Sequence, residues 1–137
     1  ILPQSKRADF VILELSSFQL QDLEQSPDIA VILDIFPDHL DAHKNLKEYY
    51  GAKANIGRYQ KKSDVIFYFN NKKVSKAIAS KSPARKIGIL PKENNLKKNF
   101  EMAAAVARYC GCPKKVIEKA IKNFKDAVSN NTDQKKE

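Results

Sequence analysis

Apolar residues in this chain fall into short unbroken runs, separated by polar stretches with helical periodicity. Phe10–Leu13 runs without interruption inside Asp9–Leu15, meets Glu14, and is followed by Ser16 and Ser17. Ile29–Ile35 is a second run, broken only by Asp34 and ended by Phe36-Pro37. Val65–Phe69, led in by Ser63-Asp64, is a third, and Lys86–Leu90, closed by Pro91, a fourth. Runs of this kind predict strands covered on both faces, as in a parallel sheet. Between them lie helical patterns. Phe18, Leu20 and Leu23 predict a short helix or turn ending before Ser26-Pro27. Over Leu46–Tyr59, the residues Leu46, Tyr49, Tyr50, Lys53 and Ile56 share one face. Val74–Ser80 and Asn95–Tyr109 predict two more helices, the second with Gly111 as its C′ residue. Pro113 opens a last helix with the stripe Val116, Ile117, Ala120, Ile121 and Phe124. The alternation predicts an α/β fold, a mostly parallel sheet with flanking helices and right-handed crossovers.

Composition narrows this picture. The chain has 137 residues, 42% hydrophobic and 30% charged, which is globular rather than disordered. No apolar run approaches a membrane span. The first residue is Ile1 rather than Met, without a signal segment, so a fragment with its natural start upstream is expected. Cys110 and Cys112, one residue apart, are badly placed for a mutual disulfide and are expected as reduced thiols, Cys110 in the core. A net charge of +9 fits a polyanion binder, but the lysines are scattered as pairs with no basic patch interleaved with aromatics. Solvated helix faces account for them.

Candidate chemistry gathers at the run ends. In a parallel sheet the carboxyl ends of the strands hold the ligand. Glu14 closes the first run, and Asp38 and His39 follow the second, so both are expected at one sheet edge. A carboxylate and an imidazole there suit a divalent metal, and an acid after an apolar strand is how nucleotide hydrolases hold Mg²⁺ beside phosphate. A solvated strand end is the plainer reading. His39 and His43 have the i, i+4 spacing of a zinc helix, but Pro37, Asp38 and Asp41 point to a turn, and no third nitrogen or sulfur ligand is near. Lys53 lies on the apolar face of its helix among Gly51, Ala52 and Ala54. It is either a snorkelling lysine or an amine drawn toward a phosphate site. Asn99 either caps its helix or hydrogen-bonds a ligand.

These residues resemble the motifs of the Mur ligases. Glu14–Leu20, ELSSFQL, is similar to the signature of the branch that adds D-glutamate, the UDP-N-acetylmuramoylalanine–D-glutamate ligases. Pro37–His43 looks like the family's P-D-H-L-D-x-H, and Tyr49–Ile56 its Y-x-x-A-K-x-x-I. Asn99 with Ala103–Ala105 and Gly111 resembles the helix after the family's H-N-x-x-N loop. The resemblance covers about Ala8–Phe124. It implies a partial Mur ligase central domain, P-loop ATPase-like, over 1–125, with a polar tail over 126–137 expected to fray.

The activity the resemblance implies is an ATP-dependent amide ligation in the cytoplasm, in peptidoglycan precursor synthesis. ATP phosphorylates the L-alanine carboxylate of UDP-N-acetylmuramoyl-L-alanine, and the amine of D-glutamate attacks the acyl phosphate. The resemblance further implies two Mg²⁺ ions, one held by Glu14 and one by His39 with a carbamylated Lys53, so that Lys53 and His39 are catalytic. Ser16 and Gln19 would face the substrate and Asn99 the adenine. A monomer is implied, with neither nucleic acid nor membrane as partner. The carbamate is chemically coherent: an ammonium cannot ligate a cation, whereas a lysine carbamate offers anionic oxygens, and partial burial favours the neutral amine it forms from. Two departures stand out. No G-x-x-G-K-[ST] phosphate loop occurs in these 137 residues. Asn95 and Leu96 stand where His and Asn are expected. The alternative reading is therefore a degenerate ATPase-like domain kept as a non-catalytic binding module.

Overall fold

The computed structural model describes residues 10–36, 45–92 and 97–133, with side chains to residue 127. Its order is α1 (Ser17–Gln21), β1 (Ile29–Ile32), α2 (Leu46–Arg58), β2 (Val65–Phe69), α3 (Lys73–Ser80), β3 (Arg85–Ile89), α4 (Lys97–Tyr109) and α5 (Lys114–Asp133). The strands form one three-stranded sheet in the order β1-β2-β3. Both pairings are parallel, with Ile29 opposite Val65 and Val65 opposite Arg85. The expected α/β class is borne out.

Alternation along β2 explains the layers. Ile66 faces a cluster with Ala30 and Ile32 of β1, Ala54 of α2, Ile78 and Ala79 of α3, and Ala84. Val65, Phe67 and Phe69 face the other way, onto Met102 of α4. Phe67, Phe69 and Ile66 are buried completely or nearly so. Each such side chain contributes about 1.5–3 kcal/mol through water exclusion. Gly57 lets α2 come close: a Cβ there would stand 2.7 Å from Ile66 Cδ1 and 3.2 Å from Ser82 Cβ. The amino ends of the strands are tied by Gln60, whose Nε2 donates to the carbonyls of Pro27 and Val65, while Ser82 Oγ donates to Gln60 Oε1.

The first expected strand is corrected. Residues 10–16 carry no strand, and Phe10, Val11, Ile12 and Leu13 are exposed, Ile12 at 93%. An unbroken apolar run reports a demand for burial, not a partner to meet it. None of the three paired strands lies alongside it. Glu14 therefore does not sit on a sheet edge, and His39, its expected neighbour, lies outside the described residues together with Pro37, Asp38, Asp41 and His43.

Helix ends follow local chemistry. Gly111, at φ 85°, closes α4 in the manner of a Schellman cap: Cys112 N–H donates to Ala107 O, and Gly111 N–H to Arg108 O. Cys110 and Cys112 are free thiols, each half-buried rather than core. Helix α5 runs on to Asp133, into the polar stretch from Asp126. No described helix is long and apolar enough to cross a membrane.

Candidate active site

The helix α1 is placed by its own cap and by α2. Ser16 Oγ accepts from Gln19 N–H, and Gln19 Oε1 accepts from Ser16 N–H at 2.8 Å, a complete capping box. Leu20 is buried, and Asn55 Nδ2 of α2 donates to the carbonyls of Leu20 and Gln21 at 2.8 and 3.0 Å. Leu20 O also accepts from the Leu23 N–H, so Asn55 adds a second donor there and caps Gln21 O at the helix's C-terminus. Farther along, Ser26 Oγ donates to Asn55 O and accepts from Tyr59 N–H. The short ELSSFQL segment is thereby fastened along α2.

This packing creates an open cavity of about 410 Å³, lined by Glu14, Leu15, Ser16, Ser17, Gln19, Tyr49 and Lys53. Four of the residues singled out from sequence therefore share one cavity: Glu14, Ser16, Gln19 and Lys53. The route is helix-on-helix docking rather than neighbouring strand ends. Lys53 Nζ lies 5.3 Å from the centroid of the Tyr49 ring, a cation–π arrangement that favours the charged amine. Tyr49 is buried, and its hydroxyl donates to Phe36 O at 3.1 Å, so one side chain touches both the amine and the backbone just before Pro37. Periodicity placed Tyr49 on the right face, but its tie to Phe36 spans two elements and has no sequence signal.

Asn99 is not in that cavity. It lies in the first turn of α4, half-buried, and its Oδ1 is shut off from water with no hydrogen-bond partner among the described residues. A buried acceptor in that state is costly unless a donor arrives. At the carboxyl end of β1, the Asp34 carboxylate meets two ammonium groups, Lys98 in the same first turn of α4 and Lys72 at 3.1 Å. Burial pushes the Asp34 carboxyl up, but the hydrogen bonds and charges of Lys98 and Lys72 outweigh it and leave it below its ordinary value. Sequence reasoning noted Asp34 only as an interruption in a strand. A charged residue in an otherwise apolar run was the available sign that partners exist.

A family model described as the Mur ligase middle domain matches residues 2–131. The chain belongs to the Mur ligase family. Curated relatives agree with the resemblance in the motifs. The UDP-N-acetylmuramoylalanine–D-glutamate ligase of Clostridium tetani is 35% identical over 92 residues, 67% of this chain and 20% of that protein. The protein of the same name from Acetivibrio thermocellus is 46% identical over 71 residues, 51% of this chain and 15% of its own length. That of Clostridium kluyveri is 52% identical over 58 residues, 42% of this chain and 13% of its own length. The chain thus spans a fifth or less of the length of these relatives.

For a Mur ligase middle domain, the donors present fit Mg²⁺ in part. Glu14 supplies a hard carboxylate oxygen at the cavity, and Lys53 lines the same cavity. Among the described residues no three His, Cys, Asp or Glu side chains gather to hold a metal. Further ligands would come from a modified Lys53, from residues outside the described ones such as His39, from water or from substrate. Asn99 fits a nucleotide base, since its buried Oδ1 needs a donor such as the exocyclic amine of adenine.

Proposed function

We propose that this chain is part of an ATP-dependent ligase that joins D-glutamate to UDP-N-acetylmuramoyl-L-alanine through an acyl phosphate, in cytoplasmic peptidoglycan precursor synthesis. The observation that carries the reading is the shared cavity of Glu14, Ser16, Gln19 and Lys53. The relatives whose printed names state D-glutamate ligation match this chain, and they supply the substrate assignment.

Each residue has a role in this reading. Bound ATP and Mg²⁺ supply the activated phosphoryl group and neutralise its charge. Glu14 takes one Mg²⁺. Lys53, as a carbamate, takes the second with His39. The capping box uses Ser16 Oγ and Gln19 Oε1 as acceptors, which leaves the Ser16 hydroxyl proton and the Gln19 NH₂ as donors toward substrate oxygens. The Tyr49 ring favours ammonium over neutral amine, so the carbamate needs an opposing cation to persist. Asn99 receives the adenine amine. Residues 1–125 act as a part of the central domain, and the enzyme works as a monomer.

The test is a product assay on the full-length natural polypeptide. With ATP, Mg²⁺, UDP-N-acetylmuramoyl-L-alanine and a panel of amino acids, D-glutamate is expected to give the amide with stoichiometric ADP and phosphate. Turnover with another amino acid and none with D-glutamate contradicts the substrate assignment. The substitutions at Asn95 and Leu96 favour the second reading, a non-catalytic ATPase-like module. ATP binding without any amide product is its signature.

A further inference from the structure

One cluster outside the cavity joins four parts of the fold. Asp34 follows β1 at the carboxyl edge of the sheet. Its carboxylate receives Lys98 from the first turn of α4 and Lys72 from the junction of β2 and α3. The side chains are largely withdrawn from water, Asp34 at 12% exposure and Lys98 at 10%. Lys98 Nζ also lies 5.8 Å from the ring centroid of Phe69, the last residue of β2. Just before the carboxylate, Ser75 Oγ of α3 donates to Leu33 O at 2.7 Å and fixes the backbone. Asp34 is therefore an anchored anion, and Lys98 is drawn onto it.

The consequence falls on the next residue. Lys98 pins the first turn of α4 to the sheet edge, and Asn99, in that turn, carries the buried Oδ1 with no partner. The core contact of α4 is Met102, one turn farther on, with Ala105 and Val106 beyond it. Phe100 of the first turn packs against Phe124 of α5, and Lys98 is the tie of that turn to the sheet edge. We propose that Asp34 is a positioning residue for the nucleotide base: through Lys98 it fixes the first turn of α4 so that Asn99 presents its acceptor to an exocyclic amine. This inference rests on the reading of Asn99 as the base contact. A staple with no bearing on the ligand would stabilise α4 equally, so the test must separate stability from base recognition.

The experiment measures equilibrium binding to the full-length natural polypeptide of three probes: ATP, purine riboside triphosphate, which lacks the exocyclic amine, and inorganic tripolyphosphate. Asp34→Asn is expected to weaken ATP about tenfold, the scale of one hydrogen bond lost in a dry site. The other two probes should bind as they do to the unaltered protein. Under turnover, KM for ATP should rise with kcat unchanged at saturation. Removing one partner of a withdrawn ion pair can unfold a protein, whereas replacing both with apolar residues is tolerated. If Asp34→Asn does not fold, the double variant Asp34→Leu with Lys98→Met carries the same expectation. Equal ATP affinity in a folded Asp34 variant, with Asn99→Ala weakened, overturns the positioning role and leaves the base contact standing. Unchanged ATP affinity in Asn99→Ala overturns the base contact, and the inference with it. Parallel weakening of all three probes overturns the inference as well, because the effect is then not on the base.

Discussion

At the residue scale, the Asp34 carboxylate is held by two ammonium groups, Lys98 and Lys72. Glu14, Ser16, Gln19 and Lys53 were expected at a site, and they line one cavity. Tyr49 joins them in that cavity and Asp34 sits outside it; neither was expected at a site, because the partner of each lies on another part of the fold, Phe36 for Tyr49 and Lys98 for Asp34. Asp34 yields a pH prediction with a definite sign. Its folded carboxyl lies below the ordinary carboxylate value, so its pairing stabilises the fold above that range and is lost as pH falls through it. Urea melts from pH 7 to pH 3 should show the unaltered protein losing more stability than Asp34→Asn, the gap narrowing on acidification. Parallel curves would mean that the Asp34 ion pairs form no more in the native state than in the unfolded chain.

At the element scale, β1, β2 and β3 start within a residue or so of their apolar runs, although only β2 is covered on both faces and β3 has no buried residue. The run at Phe10–Leu13 has the same composition and no partner, so its status could not be read from itself. The docking of α1 on α2 was equally silent, since it rests on one amide, Asn55, reaching two carbonyls. Asn55→Ala should therefore cost about 1–3 kcal/mol, the scale for taking a buried donor away from its acceptors. It should also expose the α1 amides to rapid hydrogen exchange while those of β2 stay protected. Equal protection of α1 in the variant would mean that Leu20 alone holds the helix. Two glycines of α2 make a paired prediction. Gly51 has open space beside it, so Gly51→Ala should raise stability by up to about 1 kcal/mol through helix propensity. Gly57 meets Ile66, which is fully buried and cannot swing away, so Gly57→Val should destabilise by about 1–3 kcal/mol. Thermal melts that move the same way for both would contradict the close approach of α2 to β2.

At the scale of the whole molecule, the family and the α/β class follow from sequence, and the arrangement of the site follows from structure. The segment from Glu14 through α1, docked on α2, builds the cavity that holds Glu14 and Lys53, yet these 137 residues contain no phosphate-loop pattern. The β- and γ-phosphates would find no backbone N–H cradle here. Residues 1–137 alone should consequently give no ATP-dependent amide product, and product formation by that segment would require a different nucleotide site. On the proposed reading Lys53, which lines the same cavity as Glu14, serves the reaction rather than the fold. The most direct measurement is turnover of Lys53→Ala in the full-length natural polypeptide, at saturating ATP and Mg²⁺, alongside its thermal midpoint. The account predicts a loss of about a hundredfold or more, the scale for removing one group that stabilises the transition state, with the midpoint unchanged. Turnover close to that of the unaltered protein would contradict it and leave Lys53 a lysine resting on Tyr49.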